Sequence, residues 1–266
     1  QWDPQRYPDV KLVFLGDYID RGRFSFDGVL RAALQLFVAM PDQVILLRGN
    51  HEWLTWFDNR ISSGVYPAEA LASIVPYVPI EMLEAYRQLF EHMPTSFICE
   101  RTLFVHGGIP REDSFEARFL DLSSLNDPEM RFQMMWSDPG HTDHVPVELQ
   151  RQNPRFTFGR NQFRRFMERA GMHTMIRGHE MIERGFDVFY DLGDQLLLTL
   201  FSAGGHGNCD LPIDSSYRAV TPMALTIQYG HGAPTANPWP IQYQPFNYEP
   251  HNGLYREQPL LEFRYT

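Results

Sequence analysis

Residues 10–16, Val-Lys-Leu-Val-Phe-Leu-Gly, form a short, nearly continuous apolar run of strand formers ending at Gly-Asp. That is the pattern of a strand buried in a parallel sheet. The rhythm then changes: Val29, Leu30, Ala33, Leu34, Phe37 and Met40 recur at helical spacing. Asp27 is placed to cap the start of that helix and Pro41 to stop it. A second apolar run over residues 43–48 predicts another strand, so residues 10–48 read as a βαβ unit with parallel strands. Residues 53–92 read as mainly helical, broken at Gly64, Pro67, Pro76 and Pro79. Two short strand patterns at 95–99 and 102–105 flank Glu100-Arg101 and predict a tight hairpin.

Residues 107–158 are turn-rich with helical pieces, and Arg160–Ala170 is an arginine-rich amphipathic helix closed by Gly171. Its stripe of Phe163, Phe166, Met167 and Ala170 is expected to be buried, leaving Arg160, Arg164, Arg165 and Arg169 solvated. Strand patterns follow at 174–177, 186–190, 195–202 and 223–229. The pattern predicts one α/β domain over residues 1–229 with a β-rich second half. Residues 230–266, rich in Pro, Gly, Asn and Tyr, read as an extended segment, its aromatics from Trp239 to Tyr248 packing along the domain.

Composition narrows the partners. The 266 residues carry 23 Lys+Arg against 33 Asp+Glu, a formal net charge of −10, and such an acidic surface disfavours nucleic acid and anionic membranes. Two cysteines, Cys99 and Cys209, are too few for a disulfide framework and lack a Cys-x-x-Cys spacing. They make a reducing, cytoplasmic compartment the default. Gln1 stands where an initiator Met is expected, so a removed leader fits the sequence as well.

Four polar motifs each follow a predicted strand: Gly16-Asp-Tyr-Ile-Asp-Arg-Gly22, Gly49-Asn-His-Glu52, His106-Gly-Gly108 and Arg177-Gly-His179. Ligands of open α/β sheets bind beyond the carboxyl ends of strands, which is where these loops lie. Asp17, Asp20, Asn50, His51, His106 and His179 offer oxygen and nitrogen donors without thiolate, a set suited to Mn, Fe or Zn. A carboxylate that bridges two such ions, roughly 3.5–4 Å apart, helps them clamp a phosphoryl group and acidify a water. Arg21 has the planar fork that fits phosphate oxygens. Asp20 beside His51 would make a general-acid pair. His141 and His144, in a Pro- and Gly-flanked loop, read as solvated histidines rather than ligands.

With Trp136-Ser-Asp-Pro139 and Leu198-Thr-Leu-Phe-Ser-Ala203 in the same order, the motifs resemble the phosphoprotein phosphatase family of serine/threonine phosphatases, from about Val10 to Tyr229. The resemblance implies a four-layer α-β-β-α metallophosphoesterase sandwich and a two-metal site. It makes Asp17 a ligand shared by both metals, and Asn50, His106 and His179 the rest of the second metal's set. His51 with Asp20 becomes the general acid, Arg21 and Arg155 the phosphate holders, Asn50 also a substrate contact, and Asp138 an orienting acid near the site. The implied substrate is a phosphoprotein or phosphopeptide.

The chain departs from the family three times, and one departure is that Arg155 sits in a segment shorter than the family's usual arginine-bearing turn. The Gly-Asp-x-His-Gly motif that supplies the first metal has no counterpart here, and the residues before Gly16 are too few to hold it. The expectation is that the chain begins downstream of that motif. His206 stands near the place of a tyrosine that overhangs the site in eukaryotic members, which makes it a candidate substrate-rim group. The same metal motifs also fit a dinucleoside polyphosphate hydrolase, and a chain without the first motif fits a weakly catalytic phosphoprotein-binding protein.

Overall fold

A computed structural model describes residues 7–22, 25–208, 210–230 and 234–242, apart from the side chain of Asp27. The described residues fall into two compact units, each with its own core: one up to Pro94 with Gly207–Ser215, the other Thr95–His206 with Ser216–Gln242.

The first unit opens with β1 (Leu12–Phe14), followed by α1 (Arg31–Ala39) and β2 (Val44–Leu46). The two strands pair in parallel, Leu12 opposite Val44 and Phe14 opposite Leu46, completing the expected βαβ unit. Parallel pairing puts the carboxyl ends of both strands, and so both polar motifs, at one edge. The helix does not begin at an Asp27 cap. A π-helical turn over Ser25–Leu30 leads into α1, so Asp27 lies within helical backbone. Ser25 Oγ donates to the Gly22 carbonyl at 3.1 Å ahead of that turn.

The helical expectation for residues 53–63 is overturned. β3 (Leu54–Phe57) and β4 (Arg60–Ser63) form an antiparallel hairpin, and helix follows only in α2 (Glu69–Ile74) and α3 (Ile80–His92). Asp58 and Asn59 both adopt positive φ, at 47° and 61°. That is the two-residue turn whose twist matches a hairpin, and Asp and Asn are among the few residues that tolerate it. The core beneath joins Leu30, Val44, Leu46, Leu54, Leu83 and Phe90.

The second unit begins with the predicted hairpin, β5 (Ser96–Cys99) and β6 (Thr102–Val105). Next come α4 (Glu112–Arg118), α5 (Pro128–Trp136), β7 (Ser137–Pro139), α6 (Val147–Gln150), β8 (Phe156–Phe158) and α7 (Arg160–Ala170). α7 has the expected bounds, ends at Gly171 with φ 70°, and buries Phe163, Phe166, Met167 and Ala170. Its Arg165 and Arg169 pair with Glu112 and Glu116, as befits a solvated face. The chain continues through β9 (Thr174–Arg177), β10 (Phe186–Asp191), β11 (Leu196–Leu200), β12 (Met223–Gln228) and β13 (Thr235–Pro240).

Five of these strands form one sheet in the order β10-β11-β9-β6-β5, with β9 parallel to both neighbours. A core of Leu103, Val105, Met130, Met134, Phe158, Phe163 and Met175 packs beside it. Part of the segment expected to be extended is a strand: β13 pairs antiparallel with β12, Trp239 opposite Ala224. The rest of the aromatic stretch, from Tyr243 to Tyr248, lies outside the described residues, as does Cys209. No helix among the described residues is long and apolar enough to cross a membrane.

Candidate active site

β1 runs into a turn that sequence alone would make costly. Gly16 takes φ 97°, and then Asp17, Asp20 and Arg21 take φ 60°, 69° and 60°. Left-handed backbone at non-glycine residues costs on the order of 1 kcal/mol or more each and persists only where the surroundings enforce it. Glu52, fully buried, does much of the enforcing. Its carboxylate accepts the N–H of Asp17 at 2.8 Å, of Tyr18 at 2.7 Å and of Gly49 at 2.9 Å, tying the loop after β1 to the loop after β2. Tyr18 Oη donates to the Leu47 carbonyl at 2.9 Å, and the Arg21 N–H donates to Glu69 at 3.0 Å.

Gly49 has no alternative. A Cβ there would lie 2.2 Å from Asp17 Oδ1 and 2.4 Å from the Asp17 nitrogen. Its absence lets the two loops touch and leaves Asp17 Oδ1 within 3.1 Å of the His51 N–H, which donates to it. Asn50 is buried between these residues in sequence.

Asp20 fixes His51. The carboxylate accepts the Ala70 N–H on Oδ1 at 2.8 Å and faces His51 Nδ1 with Oδ2 at 2.8 Å, both side chains almost wholly out of solvent. Burial opposes the charged imidazolium, but the Asp20 hydrogen bond and the Asp17 charge outweigh it and hold the His51 pKa above its ordinary value. With Nδ1 committed to Asp20, the remaining ring nitrogen is Nε2, which is buried and has no hydrogen-bond partner among the described residues. A buried polar atom left so is a group aimed at something else.

In the second unit the parallel pairing of β6 with β9 sets Val105 opposite Arg177. The next residues of both strands therefore leave the sheet together. His106 Nε2 lies 3.0 Å from His179 Nδ1, with ring centroids 4.9 Å apart at 70°. The Gly178 N–H donates to the His106 carbonyl at 3.0 Å, and His179 itself takes φ 69°. Two imidazoles with facing nitrogens suit a borderline divalent metal.

Asp138, on β7, is buried and accepts from Arg155 Nε at 2.7 Å and from Arg177 Nη2 at 2.6 Å. Its Oδ1 lies 3.8 Å from His179 Nε2, an ion-pair distance rather than a hydrogen bond. Arg155 keeps half its side chain exposed. His206 is exposed, and its carbonyl accepts from Arg218 Nη1 at 2.8 Å. His141 stacks on Phe189 and His144 lies 3.7 Å from Glu112, so neither forms a ligand cluster among the described residues.

Within the first unit the structure thus gathers Asp17, Asp20 and His51, and within the second His106, His179, Asp138 and Arg155. Two residues not singled out from sequence prove central, Glu52 and Arg177.

A family model for calcineurin-like phosphoesterases matches residues 5–183, about two thirds of the chain. The chain belongs to the calcineurin-like phosphoesterase family. It is therefore an enzyme of a metal-dependent phosphoester-hydrolysing class, with the mixed α/β fold of that family. Among solved structures it is similar to a protein serine/threonine phosphatase from Saccharomyces cerevisiae with similarity to human phosphatase PP5. The TM-score is 0.61 and the identity 21%, over 90% of this chain and 73% of that one. It is also similar to a cold-active protein-tyrosine phosphatase of a psychrophilic Shewanella species, with TM-score 0.47 and 20% identity over 80% of this chain and 62% of that one.

Proposed function

We propose that this phosphoesterase hydrolyses phosphomonoesters on serine or threonine of phosphoproteins, by direct attack of water and without a phospho-enzyme. The observation that carries the reading is the buried Asp20–His51 pair, whose outward nitrogen has no partner. In this reading Asp20 holds the proton on Nδ1, and His51 delivers the proton on Nε2 to the leaving oxygen as the ester bond breaks. Asp17, Asn50, His106 and His179 are each assigned, by their donor chemistry, as ligands of divalent metal, Mn, Fe or Zn. When bound, the metals supply a Lewis acid that activates water and offsets phosphate charge.

Arg21 and Arg155 bind the equatorial oxygens. Asp138 engages Arg155 through Nε alone, which orients the planar guanidinium for that task. The roles of Asn50 as a substrate contact and of His206 at the rim rest on their places in the sequence. The cytoplasm is proposed from the low cysteine count.

The test is Mn-dependent phosphate release from a phosphoserine peptide. Asp17→Asn and His51→Ala are expected to lose at least a hundredfold in kcat, and full activity in either would refute the assignment. Faster turnover of a dinucleoside polyphosphate than of phosphopeptides would replace the substrate.

A further inference from the structure

We propose that Arg177 is the positioning residue of this active site: one buried guanidinium that sets the two ligand imidazoles, His106 and His179, and the phosphate-holding Arg155. The proposal rests on the functional reading above and adds a determinant to it.

Arg177 ends β9 and is fully buried, following Thr174, Met175 and Ile176, which are buried too. Each of its nitrogen groups reaches a different segment. Nε donates to the Gly107 carbonyl, in the turn that carries His106. Nη1 donates to Glu180 Oε2 at 2.5 Å, one residue after His179. Nη2 donates to Asp138 Oδ1 at 2.6 Å, and the other oxygen of that carboxylate takes Arg155. The planar fork makes these directions mutually dependent, which an ammonium group on a flexible stem does not.

Two further contacts stiffen the arrangement. The Gly107 and Gly108 N–H groups donate to the Met134 carbonyl at 3.0 and 2.9 Å, so the turn that Arg177 grips from one side is held from the other. The Glu180 N–H donates to the Gly178 carbonyl at 2.8 Å, closing the loop around His179. Two carboxyl groups, of Asp138 and Glu180, thus face the two guanidiniums of Arg177 and Arg155.

A stability role alone does not account for an arginine here. Burying a guanidinium between carboxylates is a weak source of stability, and well-packed apolar residues often match or exceed it. What the guanidinium provides and an apolar side chain does not is a fixed relation among three chain segments that carry ligands or their partners. Partners that orient metal ligands typically change the metal's affinity by 10–100-fold when altered, and Arg177 fixes the chain next to two such ligands.

The experiment compares wild type, Arg177→Lys and Glu180→Gln. Folding is monitored by far-UV circular dichroism, Mn2+ binding by electron paramagnetic resonance of the free ion, and kcat and KM with a phosphoserine peptide. Arg177→Lys, folded, is expected to bind Mn2+ roughly 10–100-fold more weakly and to show a raised KM, since both the imidazoles and Arg155 lose their reference. Glu180→Gln removes the charge from the arm at His179 alone and leaves a weaker acceptor there. It is expected to weaken Mn2+ binding several-fold with KM unchanged, and it decides the matter if Arg177→Lys does not fold. Wild-type Mn2+ affinity in the folded lysine variant, or in Glu180→Gln when that variant decides, overturns the proposal. A wild-type protein that neither binds Mn2+ nor releases phosphate overturns the functional reading, and this proposal with it.

Discussion

His51 places its chemistry on one atom, and the substrate's leaving group shows whether that atom gives up a proton. An alkoxide departs poorly without protonation, whereas p-nitrophenolate is stable as it leaves. His51→Asn is therefore expected to cost about 10²–10⁴-fold in kcat on a phosphoserine peptide and far less on p-nitrophenyl phosphate. Equal losses on both substrates would show His51 acting through binding or metal placement instead. Glu52 works differently, because its carboxylate accepts three backbone N–H groups. Glu52→Ala strands three N–H groups, two of them buried, at about 1–3 kcal/mol for each buried one, so denaturant melts should show a loss of about 3 kcal/mol. Glu52→Gln keeps an acceptor oxygen and should lose about half as much or less. Asp20 and His51 were legible in sequence because an acid near a histidine at a strand end is a chemical pattern. Glu52 was not, although it closes the same motif, since a carboxylate that satisfies amides of a distant loop leaves no side-chain signature. Arg177 was hidden for the same reason: its partners come together only when β6, β7 and β9 do.

Elements with a single rhythm were legible, and those set by turn chemistry were not. β1, α1 and β2 follow apolar spacing and formed where read, α1 without its Asp27 cap, whereas Trp53 to Ser63 carries aromatics and β-branched residues whose fate depended on Asp58-Asn59 taking left-handed backbone. An irregularity in β10 shows what such local chemistry achieves. The pairing shifts between Val188 and Tyr190, inserting Phe189 as an extra residue. Phe189 then stacks beneath His141 while Tyr190 Oη donates to the Gly140 carbonyl, so one bulge holds the loop after β7 at two points. Burial pushes the Tyr190 hydroxyl up to about 12. Its protonated form is favoured in the folded state, so its stabilising contribution is complete below pH 10 and is lost as pH rises from 10 to 12. At about 1.4 kcal/mol per pH unit this amounts to about 2–3 kcal/mol. Urea melts of Tyr190→Phe should lose about 1 kcal/mol at neutral pH for the missing hydrogen bond and show a correspondingly shallower decline above pH 10. An unchanged alkaline slope would remove Tyr190 as its source.

At the scale of the whole molecule the dominant fact is charge. A formal net charge of −10 on a protein that acts on phosphate esters sets the enzyme against its own substrate at long range, while the arginines act only within the site. Screening decides how much this matters, since the Debye length falls from roughly 30 Å at 0.01 M salt to about 10 Å at 0.1 M. A phosphopeptide flanked by Arg and Lys approaches an acidic surface favourably, and one flanked by Asp and Glu does not. Because such steering alters encounter rates by about tenfold or more, kcat/KM at low salt should favour the basic peptide by about tenfold. The preference should shrink toward unity as salt rises, through a higher kcat/KM for the acidic peptide and a lower one for the basic peptide, with kcat for each nearly unchanged. A preference that survives 0.5 M salt would instead mean direct contacts with flanking residues. The experiment thereby separates the field of the entire chain from recognition by a defined surface, two properties that a single phosphopeptide assay confounds.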